Sequence, residues 1–160
     1  MRIGQGYDAH RFGESGSAES IRLGGIAVPC DCEIVAHSDG DVIIHALCDA
    51  LLGAAGLGDI GQHFPDSDPQ YKDADSTLLL RETLLVLVRL NFSVVNVDVT
   101  LIAQVPRIAA YRDDMRVAMA DLMDVEPAAV NIKATTTEGM GFAGRGEGIA
   151  AHAVALLDAT

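Results

Sequence analysis

Tryptophan is absent, and Phe and Tyr bring the aromatic share to only 4%. That argues against a flat aromatic recognition surface. Basic residues are scarce as well: 11 Lys and Arg face 23 Asp and Glu, a net charge of −12. Such a field repels nucleic acids and anionic membranes, so neither is an expected partner. Cysteine is limited to Cys30, Cys32 and Cys48. An odd number without framework spacing fits a reducing compartment, and no second Cys or Cys/His pair follows at zinc-finger spacing. Cys30 and Cys32 therefore read as ordinary thiols near a strand end. Long apolar runs are missing too. The longest strongly aliphatic stretch, Leu84 to Val88, is far too short to span a bilayer, and Met1-Arg2-Ile3-Gly4 shows no signal-peptide pattern. The expectation is a soluble, cytoplasmic protein.

What the chain does have is apolar material, 49% of its residues, and 16 glycines. Its 160 residues suit one domain, 1–160. Residues 2–10 predict a strand. Ile21 to Val28 around Gly24-Gly25 predicts a hairpin, because Gly-Gly suits a two-residue primed turn. Val42, Ile43, Ala46, Leu47, Ala50 and Leu51 recur at helical spacing, giving a helix over 41–55 capped by Ser38 or Asp39. A loop over 56–65 and a second helix over 75–90, capped by Ser76, follow. Strands are predicted at 94–102, 130–137 and 149–157, and a third helix at 108–123. The last strand is apolar on both faces apart from His152, which implies burial on both sides or at a subunit interface. The fold class is α/β (α+β), one mixed β-sheet with helices packed on one face.

Asp8 and His10 lie two apart on a predicted strand, so their side chains leave the same face. His45 sits on the helix, with Asp41 and Asp49 one turn away on either side. Two imidazoles and a carboxylate can hold zinc with its fourth position open; the same donors suit a non-haem iron oxygenase. A bare Asp-x-His is more often a buried histidine bonded to a nearby acid. The surrounding His37-Ser38-Asp39-Gly40-Asp41 changes the balance, because a helix start attracts anions, although Ser38 can equally be a plain cap with Asp41 as its capping-box partner. Lys133-Ala134-Thr135-Thr136-Thr137-Glu138 offers hydroxyls for phosphate and a hard oxygen ligand for Mg²⁺ or Mn²⁺, or is simply a β-prone strand end. Gly141 to Gly148 lacks the ending of a Walker A loop and reads equally as a mobile turn with an Arg145–Glu147 pair. Asp59-Ile60-Gly61 and Phe64-Pro65-Asp66 follow the helix; their acids can bind substrate hydroxyls or stabilise turns.

Taken together, Gly4-x-Gly6-Tyr7-Asp8-x-His10, His37-Ser-Asp-Gly-Asp-x-x-x-His45, Asp59-Ile-Gly61, Phe64-Pro-Asp66, Lys133-Ala-Thr-Thr-Thr-Glu138 and Gly141-Phe-x-Gly-Arg-Gly-Glu-Gly148 resemble, in order and over nearly the whole chain, the cyclodiphosphate synthase family. The resemblance implies conversion of 4-diphosphocytidyl-2-C-methyl-D-erythritol 2-phosphate to a cyclic diphosphate and CMP in the non-mevalonate isoprenoid pathway. It implies a homotrimer with active sites between subunits. Asp8, His10 and His45 would hold Zn²⁺, and Glu138 a second ion, Mg²⁺ or Mn²⁺. His37, Ser38 and Thr136 would contact phosphate, and Asp59, Gly61, Phe64 and Asp66 the methylerythritol end. Cytidine would lie against Ala103, Pro106, Arg107, Ile108 and Ala109, with Lys133, Ala134 and Thr135 across the interface. Phe142, Arg145 and Glu147 would line a central cavity able to hold an isoprenoid diphosphate. Two positions depart from the family pattern: Gln5 replaces a common His, and Arg107 a usual Lys. The stretch 13–20 is slightly long. The rival readings are a zinc hydrolase of a phosphorylated small molecule, a non-haem iron oxygenase, and a non-catalytic trimer that stores metal or binds an isoprenoid diphosphate.

Overall fold

A computed structural model of the chain describes every residue except Asp66, Lys72 and Thr160. Its strands are β1 (Arg2–Ser15), β2 (Ser20–Leu23), β3 (Ile26–Pro29), β4 (Cys32–Val35), β5 (Phe92–Ile102), β6 (Val130–Thr135) and β7 (Gly148–Ala159). Its helices are α1 (Val42–Ala55), α2 (Ile60–His63), α3 (Ser76–Arg89), α4 (Arg112–Met123) and α5 (Gly141–Gly144). Five strands form one mixed sheet in the order β4-β1-β7-β5-β6, and β2 and β3 form a separate hairpin. Only β5 and β6 run parallel; β1 pairs antiparallel with β7 and β4, and β7 with β5.

Register decides which residues meet. Opposite β1, Gly4 pairs with Ala155, Gly6 with Ala153, Asp8 with Ala151 and His10 with Ile149. Leu101, Val99 and Val97 of β5 continue these rows. This face is buried under α1, with α3 and α4 packing beside it on β5 and β6. Two glycines let α1 lie directly on β1. A Cβ on Gly4 would stand 2.0 Å from the Ala50 carbonyl oxygen, and one on Gly6 1.9 Å from that of Ala46. No side chain fits there, so the helix backbone rests on the strand backbone. The opposite face is open in the single chain: Ile3, Tyr7 and Val154 are 72%, 46% and 37% exposed, and His152 is exposed between them. The last strand is thus buried on one face only.

The expected elements are present with shifted ends. β1 continues five residues past His10, because β4, which the sequence did not announce, pairs with it at Arg11–Val35 and Phe12–Ile34. α4 begins at Arg112, not 108; Ile108 is instead buried ahead of a turn closed by the Tyr111 N–H on its carbonyl. Neither Ser38 nor Asp39 caps α1. Asp41 does, accepting from the Ile44 N–H at 3.1 Å. Asp75, not Ser76, caps α3 through the Thr77 N–H. The Gly24-Gly25 turn forms as expected, with φ of 59° and 83°. Its two N–H groups donate to the Asp41 carboxylate at 2.9 and 2.7 Å, tying the hairpin to the start of α1. Cys30, Cys32 and Cys48 are free.

Candidate metal centre and its cleft

β1 alternates, so Asp8 and His10 both face α1, and the tight seating of α1 lowers His45 onto them. Three ligand atoms converge. His45 Nδ1 lies 3.0 Å from Asp8 Oδ2 and 3.0 Å from His10 Nε2, and the latter pair is 3.1 Å apart. Among the described residues, these three form the group able to share a metal ion. Tetrahedral zinc with bonds of about 2.0–2.1 Å separates its ligands by about 3.3 Å. The triangle is within a few tenths of that. The donors fit a small divalent cation.

Charge and burial agree. Burial pushes the Asp8 carboxyl up, but the hydrogen bond from His45 and the charges of both histidines outweigh it and hold it below its ordinary value. Burial depresses His10, and Asp8 offsets this only in part, so His10 favours the neutral, ligating form. For His45 burial also acts downward, yet the Asp8 bond and the charges of Asp8, Asp41 and Asp39 raise it above the usual imidazole value. The pocket thus attracts positive charge at His45, which a bound cation can supply instead of a proton.

The triad forms the floor of a cleft of about 480 Å³ whose walls include His37, Ser38, Gly61 and Phe64. The sequence reading assigned His37 and Ser38 to phosphate and Gly61 and Phe64 to the substrate. It missed Val35, Ile60, Tyr71 and Leu79, which also line the cleft; none belongs to a polar pattern that would single it out. Asp59 is not in the wall. It caps α2, accepting from the Gln62 N–H at 3.0 Å and its side chain at 2.8 Å. Asp66 lies outside the described residues. Asp49 accepts the Ile60 N–H at 2.7 Å and so fixes where α2 starts.

The cytidine candidates, with Thr136 and Glu138, gather at the C-terminal ends of β5 and β6, not at the triad. Leu101 pairs with Ala134 and Ile102 with Thr135, and the Ala103 N–H donates to the Thr135 carbonyl at 3.0 Å. Pro106 and Arg107 line a hollow of about 700 Å³ that, among the described residues, shares no lining residue with the metal cleft. Ile108 is buried and Ala109 exposed. Lys133 is held by Asp98, which also accepts from Asn131 at 2.8 Å. Thr136 donates to Glu138 at 3.1 Å, and Glu138 is exposed with φ 52°. Within one chain Glu138 does not join the triad. Arg145 and Glu147 form a forked ion pair of 2.7 and 3.4 Å, and Phe142 and Glu147 border a hollow of about 270 Å³ with His10 and Arg11. Gln5, at the departure from the family pattern, approaches His152 Nδ1 at 3.2 Å on the open face.

An α/β sheet carrying a two-histidine, one-aspartate cluster at the floor of a cleft defines a protein with a candidate metal site. The chain belongs to the YgbB family, whose profile matches residues 1–158. It is 60% identical over 157 residues to 2-C-methyl-D-erythritol 2,4-cyclodiphosphate synthase of Methylococcus capsulatus, covering 98% of both chains. With the enzyme of that name from Halorhodospira halophila it shares 57% over 158 residues, 99% of this chain and 96% of the other. Among solved structures, the IspF–CDP complex of Plasmodium falciparum superposes with a TM-score of 0.86 at 32% identity, over 99% of this chain and 96% of that one. The bifunctional IspDF of Campylobacter jejuni gives 0.93 at 39% identity; 99% of this chain matches 42% of that longer one.

Proposed function

We propose that this chain is a metal-dependent phosphorus–oxygen lyase of isoprenoid biosynthesis, converting 4-diphosphocytidyl-2-C-methyl-D-erythritol 2-phosphate to 2-C-methyl-D-erythritol 2,4-cyclodiphosphate and CMP. The observation that carries the reading is the Asp8–His10–His45 triangle at the floor of a cleft, in a chain 60% identical to a synthase of that name. The relatives are named as synthases and lend no support to a hydrolase.

An oxygen of the 2-phosphate attacks the β-phosphorus. The new P–O bond closes the ring while the bond from that phosphorus to the bridging oxygen breaks, and the oxygen leaves with CMP. A phosphate anion needs no protein base at neutral pH, so the residues orient and neutralise. Asp8, His10 and His45 hold Zn²⁺, which when bound polarises phosphate oxygens and offsets their charge. Ser38 and His37 flank that position and donate to phosphate. Gly61 and Phe64, with Asp59 and Asp66, hold the methylerythritol end.

The other half of the site comes from a neighbouring copy in a homotrimer. Its Glu138 binds the second cation, Mg²⁺ or Mn²⁺, and Thr136 donates to phosphate. Ala103, Pro106 to Ala109 and Lys133 to Thr135 form the cytidine pocket. The open sheet face and the separation of the β5–β6 end from the triad within one chain support this division. Phe142, Arg145 and Glu147 then face the threefold axis, where an isoprenoid diphosphate can bind. The chain works as a single domain in the cytoplasm, in keeping with its free thiols. Incubation with the cytidyl substrate and Mg²⁺, followed by ³¹P NMR, should show equimolar CMP and cyclic diphosphate. Cytidine diphosphate or free phosphate as the product would overturn the reading.

A further inference from the structure

Ser76 is expected to cap a helix, yet Asp75 takes that role and leaves the Ser76 hydroxyl fully buried behind the metal centre. The hydroxyl lies 2.8 Å from His45 Nε2, the nitrogen that turns away from the triangle. It also donates to Asp39 Oδ1, and the Ser76 N–H donates to Asp39 Oδ2 at 3.1 Å. A third donor, the Asp41 N–H, reaches Asp39 Oδ1 at 3.2 Å. Two backbone bonds zip the segments that carry these groups: Asp39 N–H to the Ala74 carbonyl, and Asp73 N–H to the His37 carbonyl.

Counting hydrogens fixes the rest. A serine hydroxyl has one hydrogen, and here it goes to Asp39. Toward His45 the same oxygen can only accept, so Nε2 must carry the proton. Ser38 Oγ, 3.2 Å from Nε2, receives the Gly40 N–H and leaves room for a shared bond. Nδ1, which donates to Asp8 in the metal-free chain, is then the nitrogen whose proton a cation can replace, leaving its lone pair beside Asp8 and His10. We infer that Asp39 and Ser76 form a positioning relay that fixes His45 in its Nε2–H tautomer and thereby presents Nδ1 to the cation. The chain of carboxylate, hydroxyl, imidazole and metal follows the general rule that a ligating histidine is oriented by the partner of its other nitrogen. It rests on the reading of the triad as a metal site.

The test uses two measurements on the full-length protein. In the Zn²⁺-loaded form, long-range ¹H–¹⁵N NMR, with the His45 signal assigned by its loss in His45→Ala, should show the proton on Nε2 and none on Nδ1. Zn²⁺ affinity by chelator competition should fall about 10–100-fold in Ser76→Ala and largely return in Ser76→Thr, which restores a hydroxyl. Asp39→Asn should act in the same direction, because one acceptor position becomes a donor. An Nδ1–H tautomer in the Zn²⁺-loaded unmodified protein, or unchanged Zn²⁺ affinity in Ser76→Ala, overturns the relay. Full Zn²⁺ retention by His45→Ala would overturn the metal reading itself, a separate result. Should Ser76→Ala fail to fold, the tautomer of the unmodified protein still decides.

Discussion

His45 is where two neighbourhoods of the chain meet. One nitrogen faces Asp8 and His10 from β1, and the other faces Ser76 at the start of α3. It is only 8% exposed, so little solvent competes for either nitrogen. Removing this ring deletes one of three ligands and leaves Asp8 and His10 without their partner. His45→Ala should therefore lose bound zinc, measured by elemental analysis, and turnover should fall on the order of 10²-fold or more. Full zinc occupancy in that variant would contradict the assignment.

At the scale of elements, the contact between α1 and β1 sets the geometry. Gly6→Ala forces a methyl against the Ala46 carbonyl and the Ala50 N–H, both backbone, so the helix itself must move. The cost should sit at the upper end of overpacking, about 3 kcal/mol, lowering Tm by roughly 6–12 °C. A drop below about 2 °C would show that α1 is not held so closely. Asp41 anchors the other end of the helix with three N–H donors, two from the hairpin turn. Burial outweighs those donors and raises its carboxyl above the usual range. A carboxyl with a raised folded-state value contributes stability that is fully present below the unfolded value of 3.8 and is lost as pH rises through the folded one. Asp41→Asn turns one acceptor into a donor facing an N–H and should cost about 1–3 kcal/mol. The stability gap between the parent and this variant should be widest near pH 3 and narrow toward pH 7 in denaturant titrations. A gap that widens with pH would reverse the sign and refute the argument.

At the scale of the whole molecule, a sheet covered on one face by helices and left open on the other, with Ile3, Tyr7 and Val154 exposed, is expected to be completed by further copies. Sedimentation should give three chain masses. Val154→Asp places a charge in the middle of the open face and should shift the protein toward single chains, since an unpaired buried charge is costly. The same variant should keep its zinc, because the triad lies on the covered face, while turnover collapses for want of the neighbour's half of the site. A variant that remains trimeric, or a single chain that stays fully active, would refute the shared site.

Much of this was legible beforehand. The β1 alternation placed Asp8 beside His10, the helical period placed His45 on α1, and Gly24-Gly25 announced its hairpin. Each of these is set by the local repeat of the backbone, which the chain carries in its own order of residues. The strand β4, the role of Ser76 and the apolar part of the cleft wall were not legible, because each depends on a partner far along the chain. Ser76 looks like any capping serine until Asp39 and His45, 37 and 31 positions away, close around it. The order of residues by itself determined which groups could bind a metal; which nitrogen of His45 faces it was decided only when α1, β1 and the start of α3 packed together, since a hydrogen bond between distant segments has no signature in either one.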